Sequence, residues 1–207
     1  MTEQCVFIVD DDEAMRDSLQ WLIESQGLAV RTFAAAEDFL AACGDAMAGC
    51  IVLDVRMPGM SGLELYEKMN LRRCTLPVIF ITGHGDVPMA VSALKKGAVD
   101  FIEKPFNDKE LLRVIGQCLE RESATRQQRQ REGEAARRLA GLTEREREVM
   151  DLILAGKLNK QIAHELGVGE TTVKAHVSEI LRKLDVASRT QAVIEVSRID
   201  FDKLVGG

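Results

Sequence analysis

In the first half of the chain, short apolar runs repeatedly end on a polar residue. Residues 6–9 lead into Asp10 and Asp11, 51–53 into Asp54, 78–81 into Thr82, and 99–103 into Lys104. Together with 28–33, these β-branched runs predict five strands, and helical periods separate them. Met15, Leu19, Leu22 and Ile23 recur at helical spacing up to Gly27, and Phe39 and Leu40 sit in a short second helix. Ser61-Gly62-Leu63-Glu64 has capping-box spacing and opens a helix continued by Leu65, Met69 and Leu71. Residues 86–96 predict another helix, stopped at Gly97, and 108–119 a fifth with Leu111, Leu112, Ile115 and Leu119 inward. Five β-α units in succession predict a parallel sheet, and in open parallel sheets ligands bind at the carboxyl ends of the strands. The polar run-ends are therefore expected to converge on one site.

The pattern changes after residue 121. Residues 121–138 lose the apolar period and are rich in Arg, Glu and Gln without proline, as expected of a helical charged linker. Thr143-Glu144-Arg145-Glu146 is a second capping box, and four short helices follow with no strand between them. Their inward stripes are Val149, Leu152 and Ile153; then Ile162, Ala163 and Leu166; then Val173, Val177, Ile180, Leu181 and Leu184; and last Ala192, Val193, Val196 and Ile199, with a turn at Gly167-Val168-Gly169. The expected division is 1–121, a linker over 122–141, and 142–207.

Charge supports the division. Residues 1–122 hold 12 Lys and Arg against 20 Asp and Glu, a net of −8, while the remainder holds 15 against 13, a net of +2, within an overall −6. The acidic half suits a divalent cation and the other half a polyanion. The five cysteines, at 5, 43, 50, 74 and 118, are odd in number and lack CxxC spacing, which argues against a disulfide framework or a zinc site. No apolar run approaches the roughly 18 residues of a membrane span, and the start lacks the basic residues of an export signal, so the expected location is the cytoplasm.

Four motifs carry a family resemblance. Val9-Asp10-Asp11-Asp12, Leu53-Asp54-Val55-Arg56-Met57-Pro58-Gly59, Ile81-Thr82-Gly83-His84-Gly85 and Glu103-Lys104-Pro105-Phe106 resemble a response-regulator receiver domain over about residues 4–120, and the wording from Gly83 to Ala90 resembles the FixJ subfamily. The resemblance implies a flavodoxin-like doubly wound five-stranded parallel fold in which Asp54 accepts a phosphoryl group. An attacking carboxylate needs its charge and that of phosphate countered, which Mg²⁺ can do. Asp11 and Asp54, with the Arg56 carbonyl, are the expected direct ligands, and Asp10 acts through water. Thr82 can donate its hydroxyl, and Lys104 its ammonium, to phosphoryl oxygens. The resemblance further implies a cis Lys104-Pro105 bond and a switch in which Thr82 and Phe101 move together. It also implies a dimer face that includes Val91, Lys95 and Asp100. Taken singly, Asp10 and Asp11 could be a helix-entry cluster, Thr82 a strand-end cap, Lys104 a solvated end and Phe101 a plain core ring. Asp12 and Glu13 read as solvated first-turn acids and His84 as an exposed loop residue.

The later motifs, Leu142-Thr143-Glu144-Arg145-Glu146, Asn159-Lys160-Gln161-Ile162-Ala163 and Thr171-Thr172-Val173-Lys174-Ala175-His176-Val177, resemble the LuxR-type helix-turn-helix domain over about 142–203. The implied fold is a small all-α four-helix domain whose third helix enters a major groove. Lys174 can donate to guanine, Ala175 can touch a thymine methyl, and Ser178 can bond several base edges. Lys160, Gln161, Thr171, Thr172 and Lys183 are the expected phosphate contacts, which fix register without reading sequence.

The resulting expectation is a phosphorylation-dependent transcription regulator. Its partners are a sensor histidine kinase, promoter DNA and a second copy of itself when phosphorylated, with RNA polymerase a further candidate and no membrane partner. Apart from accepting and slowly hydrolysing its own phosphoryl group it is expected not to be an enzyme. A phosphohydrolase with an aspartyl-phosphate intermediate would usually carry a second aspartate two residues after the nucleophile, where this chain has Arg56. A DNA-binding protein with an inert first domain is the other alternative.

Overall fold

The computed structural model describes residues 3–44, 46–83 and 97–205, with side chains in the last helix described through residue 197. The chain divides into two compact units, Met1–Arg126 and Gln127–Gly207.

The first unit contains β1 (Cys5–Val9), α1 (Glu13–Glu24), β2 (Ala29–Phe33), α2 (Ala36–Ala42), β3 (Gly49–Asp54), α3 (Gly62–Leu71), β4 (Val78–Thr82) and β5 (Asp100–Glu103). It also holds the start of α4 (Asp108–Ala140). All strands pair in parallel in the order β2-β1-β3-β4-β5. The expected doubly wound sheet is thus present, each strand starting within two residues of its predicted start. The predicted helix over 86–96 lies outside the described residues.

Strand alternation sorts the core into two layers, because successive side chains point to opposite faces. Phe7, Val9, Ile51, Leu53, Val78 and Phe80 pack with Phe39 and Leu40 of α2 and Leu65 and Met69 of α3. Val6, Ile8, Val52, Ile79 and Ile81 pack on the other face with Leu19 and Ile23 of α1 and Leu111, Val114 and Ile115 of α4. Leu71 ends α3 as the last residue of the expected helix and is 84% exposed.

Helix ends follow their local chemistry. The capping box at Ser61 is complete: its hydroxyl accepts from the Glu64 N–H while Glu64 accepts from the Ser61 N–H. Asp12 does more than sit in solvent, since its carboxylate accepts from the Ala14 and Met15 N–H groups and caps α1. The tail of α4 extends the predicted fifth helix through the linker without interruption.

The second unit contains α5 (Glu144–Leu154), α6 (Asn159–Leu166), α7 (Glu170–Leu184) and α8 (Arg189–Val205), the four helices expected. Leu142, Val149, Ile153, Ile162, Ala163, Val173, Ile180, Leu184, Ala192 and Val196 form its core. The turn from α6 to α7 passes through Gly167 at φ 65, a left-handed conformation that glycine adopts without a Cβ penalty. The Ile199 side chain lies outside the described residues.

Candidate functional site

The strand ends converge as the pattern demands. Register pairs Val9 with Leu53, Asp54 with Ile81, and Thr82 with Glu103, so Asp10, Asp54, Thr82 and Lys104 emerge at one edge of the sheet. The Lys104 ammonium lies 2.7 Å from Asp54 Oδ1 and 3.2 Å from Asp10 Oδ2, bridging two buried carboxylates. The Lys104–Pro105 bond is cis.

Each group is held by its neighbours. Asp54 Oδ2 accepts from the Arg56 N–H at 2.8 Å, so both carboxylate oxygens have donors. Asp10 Oδ1 accepts from the Asp12 N–H at 2.9 Å. The Arg16 guanidinium, a residue with no motif signal, donates to the Asp10 and Asp11 carbonyls at 2.8 and 2.9 Å and pins the acidic turn. Glu37 of α2 accepts from the Met60 N–H at 3.1 Å, steadying the loop after Asp54. Gly62 lets α3 begin against that strand end: a Cβ there would stand 2.1 Å from the Asp54 carbonyl oxygen.

Burial pushes the Asp54 carboxyl above its ordinary range, opposed by the hydrogen bond and charge of Lys104. Burial alone would lower Lys104, but its bond to Asp54 and the charges of Asp54 and Asp10 prevail and raise it.

Thr82 is fully buried, and its hydroxyl has no hydrogen-bond partner among the described residues. Buried polar groups are normally paired, so the orphan hydroxyl is an unused donor at the strand ends.

The other expected residues differ in exposure. Asp11 is exposed, and Arg56 contributes through its backbone while its side chain is exposed. Among the described residues no three His, Cys, Asp or Glu side chains are grouped to hold a metal ion. Phe101 is half-buried beside the layer that contains Phe80, and Asp100 accepts from the Phe101 N–H at 2.9 Å. Val91, Lys95 and His84 lie outside the described residues.

On the second unit, Lys174, Ala175 and Ser178 are exposed on α7, opposite buried Val173 and Ile180. Thr171 and Thr172 are exposed at the start of α7, and Lys160 at the start of α6. Gln161 is exposed but accepts from the Leu158 N–H at 2.7 Å, so its side chain already closes the α6 terminus. Lys183 departs from expectation. Its ammonium is 2.7 Å from buried Glu146 and 3.4 Å from the Gly141 carbonyl, so it ties α7 to the start of α5. The Glu146 carboxyl is held below its ordinary range, first by that bond to Lys183. A buried acid needs a cation, and that demand outweighs the surface role read from spacing alone.

Comparison with known proteins agrees with this architecture. Residues 6–116 match the response regulator receiver domain, and 140–196 match the luxR family of bacterial regulatory proteins. The transcriptional regulatory protein FixJ of Azorhizobium caulinodans is 44% identical over 91% of this chain and 89% of its own length. The C4-dicarboxylate transport transcriptional regulatory protein DctR of Rhodobacter capsulatus is 50% identical over 86% of this chain and 92% of its own. The solved structure of the response regulator StyR superposes with a TM-score of 0.89 at 43% identity, covering 95% of this chain and 99% of that one.

Proposed function

From the premise that this chain belongs to the two-component response regulators and regulates transcription, we propose that phosphorylation of Asp54 by a partner sensor histidine kinase controls dimerisation and promoter binding. The observation that carries the proposal is the buried, unpartnered Thr82 hydroxyl beside the Asp10–Lys104–Asp54 cluster.

In this reading Asp54 Oδ1 attacks the phosphorus of the kinase's phosphohistidine, the P–N bond breaks and the departing imidazole takes up a proton, while Lys104, now at 2.7 Å, turns from the carboxylate to a phosphoryl oxygen. Thr82 donates to a second oxygen and thereby gains the partner it lacks. Asp10, Asp11, Asp54 and the Arg56 carbonyl would hold Mg²⁺, whose bound charge offsets that of the phosphoryl group. The all-oxygen donor set suits such a hard cation. The inward pull on Thr82 lets Phe101 repack, which alters the surface bearing Asp100 and favours a dimer, for which Val91 and Lys95 are the other proposed contacts.

The paired second units then bind DNA. Lys174, Ala175 and Ser178 read bases, and Lys160, Thr171 and Thr172 contact phosphates, as their exposure on α6 and α7 supports. Gln161 keeps its cap and can offer its amide to phosphate, whereas Lys183 is assigned to internal support. Doubling the DNA contact raises apparent affinity without a new base contact. The proposed boundaries are 1–121, 122–141 and 142–207. A cytoplasmic location is part of this reading, and no described helix is long and apolar enough to cross a membrane. RNA polymerase is the remaining proposed partner.

Sedimentation of the full chain with and without beryllium fluoride plus Mg²⁺, followed by promoter binding of the same samples, tests the proposal. Dimer formation and tighter binding in the wild type, both lost in Asp54→Asn, are expected. Identical behaviour of the two proteins would favour the phosphorylation-independent alternative.

A further inference from the structure

Two thiols away from the acidic site face each other. Cys43 caps α2, with its N–H bonded to the Phe39 carbonyl at 2.8 Å, and Cys74 follows α3, with its N–H bonded to the Met69 carbonyl at 2.9 Å. Their sulfurs are 3.2 Å apart although the residues are 31 positions distant in sequence.

The backbone sets up this meeting. Arg73 adopts φ 57, the left-handed region, and its N–H bonds to the Asn70 carbonyl at 3.0 Å. With the Cys74 bond this forms a Schellman closure of α3, a place normally given to glycine. The resulting turn directs Cys74 toward α2. Arg72 reinforces the approach by donating to the Leu40 carbonyl at 3.0 Å. Both residues are half-buried at the edge of a core layer.

A disulfide requires S–S of about 2.05 Å, so the sulfurs need to approach by only about 1 Å. The other thiols are poorly placed to compete. Cys50 and Cys118 are buried, and burial raises their pKa, Cys118 to about 11. Half-buried Cys5 is also raised, chiefly by burial. Raised values mean little thiolate at neutral pH.

We propose that Cys43 and Cys74 form a reversible intrachain disulfide that covalently joins the end of α2 to the segment after α3. With hydrogen peroxide as oxidant, one thiolate attacks a peroxide oxygen, breaking the O–O bond to give a sulfenic acid and expelling hydroxide, which takes up a proton. The second thiolate attacks that sulfur and expels hydroxide, which takes up a proton. Two thiols and one hydrogen peroxide thus become one disulfide and two waters, two electrons passing from sulfur to oxygen. A reducing dithiol reverses the bond by exchange.

The bond would fasten the far end of the helix whose first turn carries Glu37, the residue that holds the loop after Asp54.

The test treats the reduced full chain with a small excess of hydrogen peroxide, then blocks remaining thiols with N-ethylmaleimide for intact-mass and non-reducing peptide analysis. The expected product is a monomer that has lost about 2 Da, takes two fewer labels, and yields a peptide linking 43 to 74 that dithiothreitol releases. Cys5→Ser should behave as wild type. Cys43→Ala and Cys74→Ala, checked for folding by circular dichroism, should each fail to form the link. The proposal is overturned if both thiols remain labelled by maleimide, if the lost thiols map elsewhere, or if linkage between chains forms equally well in Cys43→Ala.

Discussion

Replacing Thr82 with valine should make the first unit more stable while disabling its response. Thr82 is fully buried at the end of β4 and its hydroxyl lacks a partner among the described residues. An unpaired buried hydroxyl costs about 1–3 kcal/mol relative to an apolar group of the same shape. Valine has nearly that shape and suits a strand, so the cavity and strain terms stay small. The expected gain is about 1–3 kcal/mol, a rise in thermal midpoint on the order of 3–12 °C for a unit of this size. Calorimetry of the full chain would measure it, the transition of the first unit being the one that beryllium fluoride plus Mg²⁺ shifts upward in the wild type. That ligand shift follows mass action and should shrink in Thr82→Val, which has lost a donor to the phosphoryl mimic. A variant equal to or less stable than wild type would refute the reasoning, because the hydroxyl would then be satisfied at rest. An undiminished ligand shift would equally remove Thr82 from the phosphoryl site.

Three further outcomes are expected. Gly62→Ala should cost about 1–3 kcal/mol in urea unfolding and slow phosphoryl acceptance, since the new Cβ meets the Asp54 carbonyl at 2.1 Å; unchanged stability would mean that α3 shifts freely. Lys183→Ala should destabilise the second unit by about 1–3 kcal/mol at neutral pH by stranding buried Glu146. Because Glu146 titrates below its ordinary value when folded, its stabilisation is present above the unfolded pKa and lost as pH falls through the folded one. The variant's deficit should therefore fade in acid, and a deficit that persists there would assign Lys183 another role. In promoter binding, Lys174→Ala should cost about 1–3 kcal/mol at one base position, whereas Lys160→Ala should weaken all sequences alike and lower the salt dependence. Equal losses on every sequence for both would break the division between base reading and phosphate holding.

The site was legible in the sequence to the extent that strand geometry concentrates chemistry. A strand in a parallel sheet delivers the residue after its last apolar position to a common edge, so Asp10, Asp54, Thr82 and Lys104 could be grouped from pattern alone. The capping boxes at Ser61 and Thr143 were equally readable, being local and directional. What escaped was long-range pairing. Nothing in the local pattern links Lys183 to Glu146, Cys43 to Cys74 or Glu37 to Met60, because only the folded chain brings those segments together. Asp12 was misjudged since an N-cap and a first-turn acid share composition and differ only in backbone angle. Leu71 continues the helix as expected, but it stands two positions after Met69, off the buried stripe of Leu65 and Met69, and is exposed where α3 ends.

The proposed response rests on one bond to one oxygen. Peptide mapping of the full chain after incubation with acetyl phosphate, with Mg²⁺ or with a chelator, tests it most directly. A phosphoryl adduct, labile to hydroxylamine, is expected on Asp54 alone, formed with Mg²⁺ and absent both with the chelator and in Asp54→Asn. An adduct on another residue, or none at Asp54 in the folded protein with Mg²⁺, would contradict it.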